Sequence, residues 1–68
     1  MSFSYNKLWK LLIDNNMKKD DLRKAIGISS STIAKMGKDE NVSLDVIDKI
    51  CELFNCKVED VLEYVSEE

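Results

Sequence analysis

Apolar side chains recur at the three- and four-residue spacing of an α-helix along most of this chain, and no proline interrupts them anywhere in its 68 residues. Tyr5, Leu8, Trp9 and Leu12 stand at i, i+3, i+4 and i+7, which predicts a helix over about Tyr5–Asn15 with one buried stripe. Asn15 and Asn16 tolerate left-handed backbone and stop it. A second helix is predicted over Lys19–Ile26: Asp20 and Asp21 suit its positive N-terminus, Leu22 and Ile26 share a face, and Gly27 supplies the positive φ that ends it. Ser29 is a good N-cap for a third helix, running to Met36 before Gly37 breaks it, and only Ile33 and Met36 can face inward. Ser43 caps a fourth, with Ile47, Ile50, Cys51 and Phe54 on one face and Asn55 closing it. Val58, Val61, Leu62 and Val65 repeat the spacing and predict a fifth helix over Val58–Val65, with Ser66–Glu68 a frayed tail. The expected architecture is all-α: a compact five-helix bundle forming a single domain over residues 1–68.

So small a chain gains only about 3–5 kcal/mol from its core, so it is expected to be idealised, cross-linked or oligomeric. Cross-links are scarce. There is no histidine, and the two cysteines, Cys51 and Cys56, form a lone Cys-x4-Cys pair, too few ligands for a tetrahedral zinc site. Reduced thiols in a cytoplasmic protein are the expectation, with no metal and no cofactor. No apolar run is long enough for a membrane span or a secretory signal. Without a histidine or a glycine-rich phosphate loop the chain offers no convincing nucleophile and base, and it is too small to enclose a substrate, so it is not expected to be an enzyme.

A net charge of −3 argues at first against nucleic acid, but the average hides a division. Residues 1–40 hold eight basic against five acidic side chains; residues 41–68 hold two against eight. A chain so polarised can turn a basic face to one partner and an acidic face to solvent or to another protein.

The stretch Asp21–Met36 concentrates the information. Two short helices joined by a tight glycine turn, the second opening on small polar residues, form the helix-turn-helix arrangement that enters the DNA major groove. Ile28 plugs the core beneath the turn, Ile33 and Met36 anchor the second helix, and Ser30, Ser31, Ala34 and Lys35 are left pointing outward. Ser30 and Ser31 also make good helix starters, and Lys35 could be an ordinary solvated lysine. Trp9, Tyr5 and Phe54 read as core or near-core side chains, and Arg23 either pairs with Asp20 or packs its stem inward.

The residues Tyr5–Lys10, Asp21–Lys24, Gly27-Ile28-Ser29, Ser31–Lys35, Glu40–Ser43 and Ile50-Cys51-Glu52 together resemble the Cro/CI-type (XRE) helix-turn-helix family. The likeness is greatest to its small bacterial and mobile-element regulators, and it covers nearly the whole chain. The resemblance implies a lambda-repressor-like fold and a sequence-specific regulator of transcription bound to double-stranded DNA. It puts Ser29–Met36 in the major groove, Ser30, Ser31 and Lys35 at base edges, and Lys19, Ser29, Lys38 and Asn41 on phosphates. Lysine can donate to guanine O6 and N7, and free N–H groups at a helix start hold anions. Lys18 and Lys57 depart from the family, standing where a Ser, Thr or Asn cap is common.

A single module of this size contacts few base pairs, so a homodimer, at least on DNA, is expected, with half-sites about 34 Å apart. No small-molecule effector is expected. The rival reading is a protein-interaction module of the same fold, an antirepressor or antitoxin-like partner, motivated by the acidic C-terminal half.

Overall fold

The computed structural model describes residues 2–66. In chain order these form strand β1 (Ser2–Ser4), helices α1 (Asn6–Asp14), α2 (Lys19–Ile26), α3 (Ser30–Gly37) and α4 (Leu44–Phe54), a 3-10 turn (Val58–Asp60) and strand β2 (Glu63–Val65).

The apolar stripes predicted for the first four helices meet in one core. Tyr5, Leu8, Leu12, Leu22, Met36, Ile47, Ile50 and Val61 are buried, and Trp9, Ile26, Ile28, Ile33, Cys51, Phe54, Cys56 and Leu62 pack around them partly covered. Full burial of each large apolar side chain contributes about 1.5–3 kcal/mol, so this cluster carries most of the fold.

The helix ends follow local chemistry. Asn16 and Asn55 take left-handed backbone (φ 56° and 51°) after α1 and α4, as asparagine does most readily among non-glycine residues. Gly27 adopts φ 69° after α2, and its N–H donates to the Arg23 carbonyl. A Cβ added at Gly27 would meet nothing within 4 Å, so the cost of Gly27→Ala is confined to the backbone. That substitution is expected to remove about 1 kcal/mol and to lower the melting temperature by about 4–8 °C, read by circular dichroism.

Two expectations about helix ends are corrected. Gly37 does not break α3; it is the last residue of that helix. The left-handed residue is Asp39 (φ 58°), with the Glu40 N–H closing back on the Lys35 carbonyl at 2.9 Å. Ser43 occupies the N-cap position of α4 without a side-chain hydrogen bond. At Lys18 and Lys57 the missing caps are made good from inside the turn that follows. Asp21 Oδ2 accepts from the Lys18 N–H at 2.9 Å, and Asp60 Oδ2 accepts from the Lys57 N–H at 3.0 Å.

The largest correction concerns the fifth helix of an otherwise helical fold. The chain makes one 3-10 turn at Val58–Asp60 and then extends, so the architecture is four α-helices with a small two-stranded sheet. β2 pairs antiparallel with β1 in the register Ser2↔Val65, Phe3↔Tyr64 and Ser4↔Glu63. Only Val61 of the proposed helical stripe is fully buried; Val58 and Val65 are exposed. The ribbon wins because Phe3 and Tyr64 pack edge to face at 5.5 Å and the β-branched and aromatic residues of β2 suit extended backbone. An isolated two-stranded ribbon this short is marginal, but this one is anchored by buried Ser4 and Tyr5 beside β1 and by Val61 ahead of β2. Of the expected frayed tail, Glu67 and Glu68 lie outside the described residues.

Candidate nucleic-acid interface

α2 and α3 are joined by Gly27-Ile28-Ser29, with Ile28 partly buried beneath the turn. Met36 is fully buried and Ile33 partly so, and these two fix which side of α3 faces the body. The opposite side is then necessarily wet. Ser30, Ser31, Ala34 and Lys35 are all exposed.

At the start of α3 Ser29 acts as the cap, its Oγ accepting from the Thr32 N–H at 3.3 Å. The same oxygen lies 2.9 Å from Ser31 Oγ and 3.0 Å from Thr32 Oγ1, so three hydroxyls are gathered at the helix start. Each hydroxyl carries one donor and two acceptor lone pairs, so the cluster keeps hydrogen-bonding capacity toward a nucleic acid. Ser31 and Lys35 follow one another by one helical turn on the exposed side.

At the other end, Lys35 and Asn41 share the rim of an open groove of about 300 Å³, bordered also by Thr32, Val42, Ser43 and Val46. Lys38, immediately beyond α3, is exposed, as are Lys19, Ser29 and Asn41. Lys19 opens α2, and its Nζ comes within 3.5 Å of where a Cβ would stand on Gly37, so it reaches the C-terminal end of α3. The candidate residues thus gather around the two ends of one helix.

Arg23 pairs with Asp20 at 3.0 Å, and Lys24 reaches the same carboxylate at 3.3 Å. The Arg23 hydrogen bond, followed by that of Lys24, holds the Asp20 carboxyl below its ordinary range. These two cations are therefore partly offset locally and add less to the field around Lys19 than their number suggests.

Two features escape a reading of helix periodicity. Tyr5 is buried, and its hydroxyl donates to the Glu40 carbonyl at 2.8 Å while its backbone N–H donates to Asp39 Oδ1 at 3.3 Å. Burial pushes the phenol above its usual range, so it stays a donor. Tyr5 thereby ties the segment carrying Lys38 and Asn41 to the start of α1. Trp9 is only half-buried, and Lys19 Nζ stands 4.5 Å from the centre of its ring. The first contact joins residues 35 positions apart, and the second joins α1 to α2 across the turn between them.

The family model for the Cro/C1-type HTH DNA-binding domain matches residues 7–67. The chain belongs to the Cro/C1-type helix-turn-helix family. The crystal structure of transcriptional regulator VanUg is similar over 97% of this chain and 88% of that one, with a TM-score of 0.93 and 59% identity. A search of curated proteins gave no match. The Cro/C1-type match begins inside α1, so β1 precedes it whereas β2 falls within it. Among the described residues no helix is long and apolar enough to cross a membrane, and no three side chains are grouped to hold a metal ion.

Proposed function

We propose that this Cro/C1-type protein is a regulator of transcription that binds double-stranded DNA sequence-specifically, with α3 lying in the major groove. The observation that carries this reading is the solvent-facing side of α3, where Ser30, Ser31, Ala34 and Lys35 are all exposed, on a helix whose packed hydrophobic side chains are Ile33 and Met36. In this reading Ser30, Ser31 and Lys35 meet base edges, and Lys19, Ser29, Lys38 and Asn41 meet phosphates. Phosphate contacts fix register and base contacts discriminate sequence. Phosphates repel the acidic side chains of residues 45–68, and that repulsion helps orient the protein on the duplex.

Two copies act together. One module of this size contacts few base pairs, so the reading places the two copies on half-sites about one helical turn, or about 34 Å, apart. The similarity to a transcriptional regulator supports the regulatory role.

A mobility-shift series across salt tests the reading, using duplexes from the protein's own genomic neighbourhood and a random-sequence control. Two copies that each neutralise two phosphates, through Lys19 and Lys38, give log K falling against log salt with a slope on the order of −4. One native fragment should bind far more tightly than the control. Absence of binding at low salt removes this function and leaves the protein-interaction module of the same fold.

A further inference from the structure

We infer that Trp9 is a positioning residue for DNA binding: its exposed face holds the Lys19 ammonium at the corner where α1, α2 and α3 meet, ready to receive a phosphate. The inference rests on the DNA-binding reading and adds a residue to it.

Tyr5, Leu8 and Leu12, on the same stripe of α1, are buried, whereas Trp9 keeps part of its ring in solvent with Lys19 Nζ 4.5 Å from the ring centre. Tryptophan has the strongest face of the aromatic side chains for a cation. Nearby carboxylates do not draw the ammonium away: Asp20 is engaged by Arg23 and Lys24, and Asp21 accepts from the Lys18 backbone. Gly37 lies beside the ammonium: a Cβ there would stand 3.5 Å from Nζ, in ordinary contact.

Lysine is a compact charge on a flexible four-carbon stem, and fixing that stem on a phosphate costs conformational entropy. A ring that already holds the ammonium removes part of this cost before DNA arrives. The contact uses one side of the ammonium, which has three N–H donors, and leaves others for phosphate oxygens.

The experiment is a double-mutant cycle with full-length protein and a random-sequence duplex, because phosphate contacts are independent of sequence. At 0.1 M monovalent salt Lys19→Ala is expected to weaken binding about eightfold and to reduce the salt slope by about 0.9. Trp9→Leu is expected to weaken it about threefold and Trp9→Phe by less, following the strength of the ring face. In the Lys19→Ala background both Trp9 changes should be silent. Circular dichroism selects variants that remain folded, and Trp9→Phe serves if Trp9→Leu does not. The chain's single tryptophan adds a second readout, because Lys19→Met should shift its emission in the free protein.

Equal losses from the Trp9 changes with and without Lys19 would mean that the ring only packs, which overturns the inference. So would an unchanged affinity in Lys19→Ala while the wild type binds. If the wild type binds no duplex at all, the DNA-binding reading falls and takes the inference with it.

Discussion

Cutting Met36 back to alanine is expected to leave little folded protein at room temperature. Met36 is fully buried, and it is the one wholly covered side chain on α3. Truncation loses the transfer energy of the missing atoms and opens a cavity that the core refills only in part, together about 2–5 kcal/mol. A domain this small has about 3–5 kcal/mol in reserve. Thermal unfolding followed by far-ultraviolet circular dichroism should show a broad or absent transition. Met36→Leu, nearly equal in volume, should cost less than about 1.5 kcal/mol and keep a cooperative melt. A Met36→Ala protein as stable as the wild type would mean that α3 is not held by this contact.

Reversing the charge at Lys35 should spare the fold and cripple the proposed function. Lys35 is exposed, so Lys35→Glu is expected to change stability by no more than about 0.5 kcal/mol. A lost base contact is worth about 1–3 kcal/mol of discrimination, and the new carboxylate would face groove acceptors and phosphates. Affinity for a native fragment should fall about 10- to 100-fold, measured by competition against random duplex at fixed salt. Lys35→Ala should lose less and relax base preference at one position. A change below about twofold for Lys35→Glu would displace α3 from the groove in any account of this protein.

The helices legible in the sequence were those whose stabilising partners are local. Leu22 with Ile26, or Ile47 with Ile50, declare a face within a few residues, and Gly27 and Asn55 mark ends through their own backbone preferences. The segment after Val58 is ambiguous in sequence, because its valines fit i, i+3, i+4, i+7 and an extended strand alike. The deciding partner, Ser2–Ser4, lies some sixty residues away in sequence. No local period carries that information. Asp39 escapes for a different reason: glycine is the commoner left-handed terminator, yet Gly37 stays helical as the last residue of α3 and the aspartate two residues on takes the left-handed position.

The candidate interface was legible as a set of outward positions, since knowing which residues of α3 face in determines which face out. All seven residues proposed for bases and phosphates are exposed. The scaffolding behind them was not legible. Tyr5 and Trp9 fit the core pattern of α1, and only the tertiary arrangement reveals that one steadies Glu40 and the other meets Lys19.

The pairing of Ser2 with Val65 gives the molecule a single exit corner for anything fused ahead of β1 or behind β2. Tethered by those two positions and stretched, the protein would part like a zip, one rung after another, instead of shearing all rungs at once. Its mechanical resistance would therefore be low whatever its resistance to heat, and threading by a protein-degrading motor from either side would begin by peeling this ribbon.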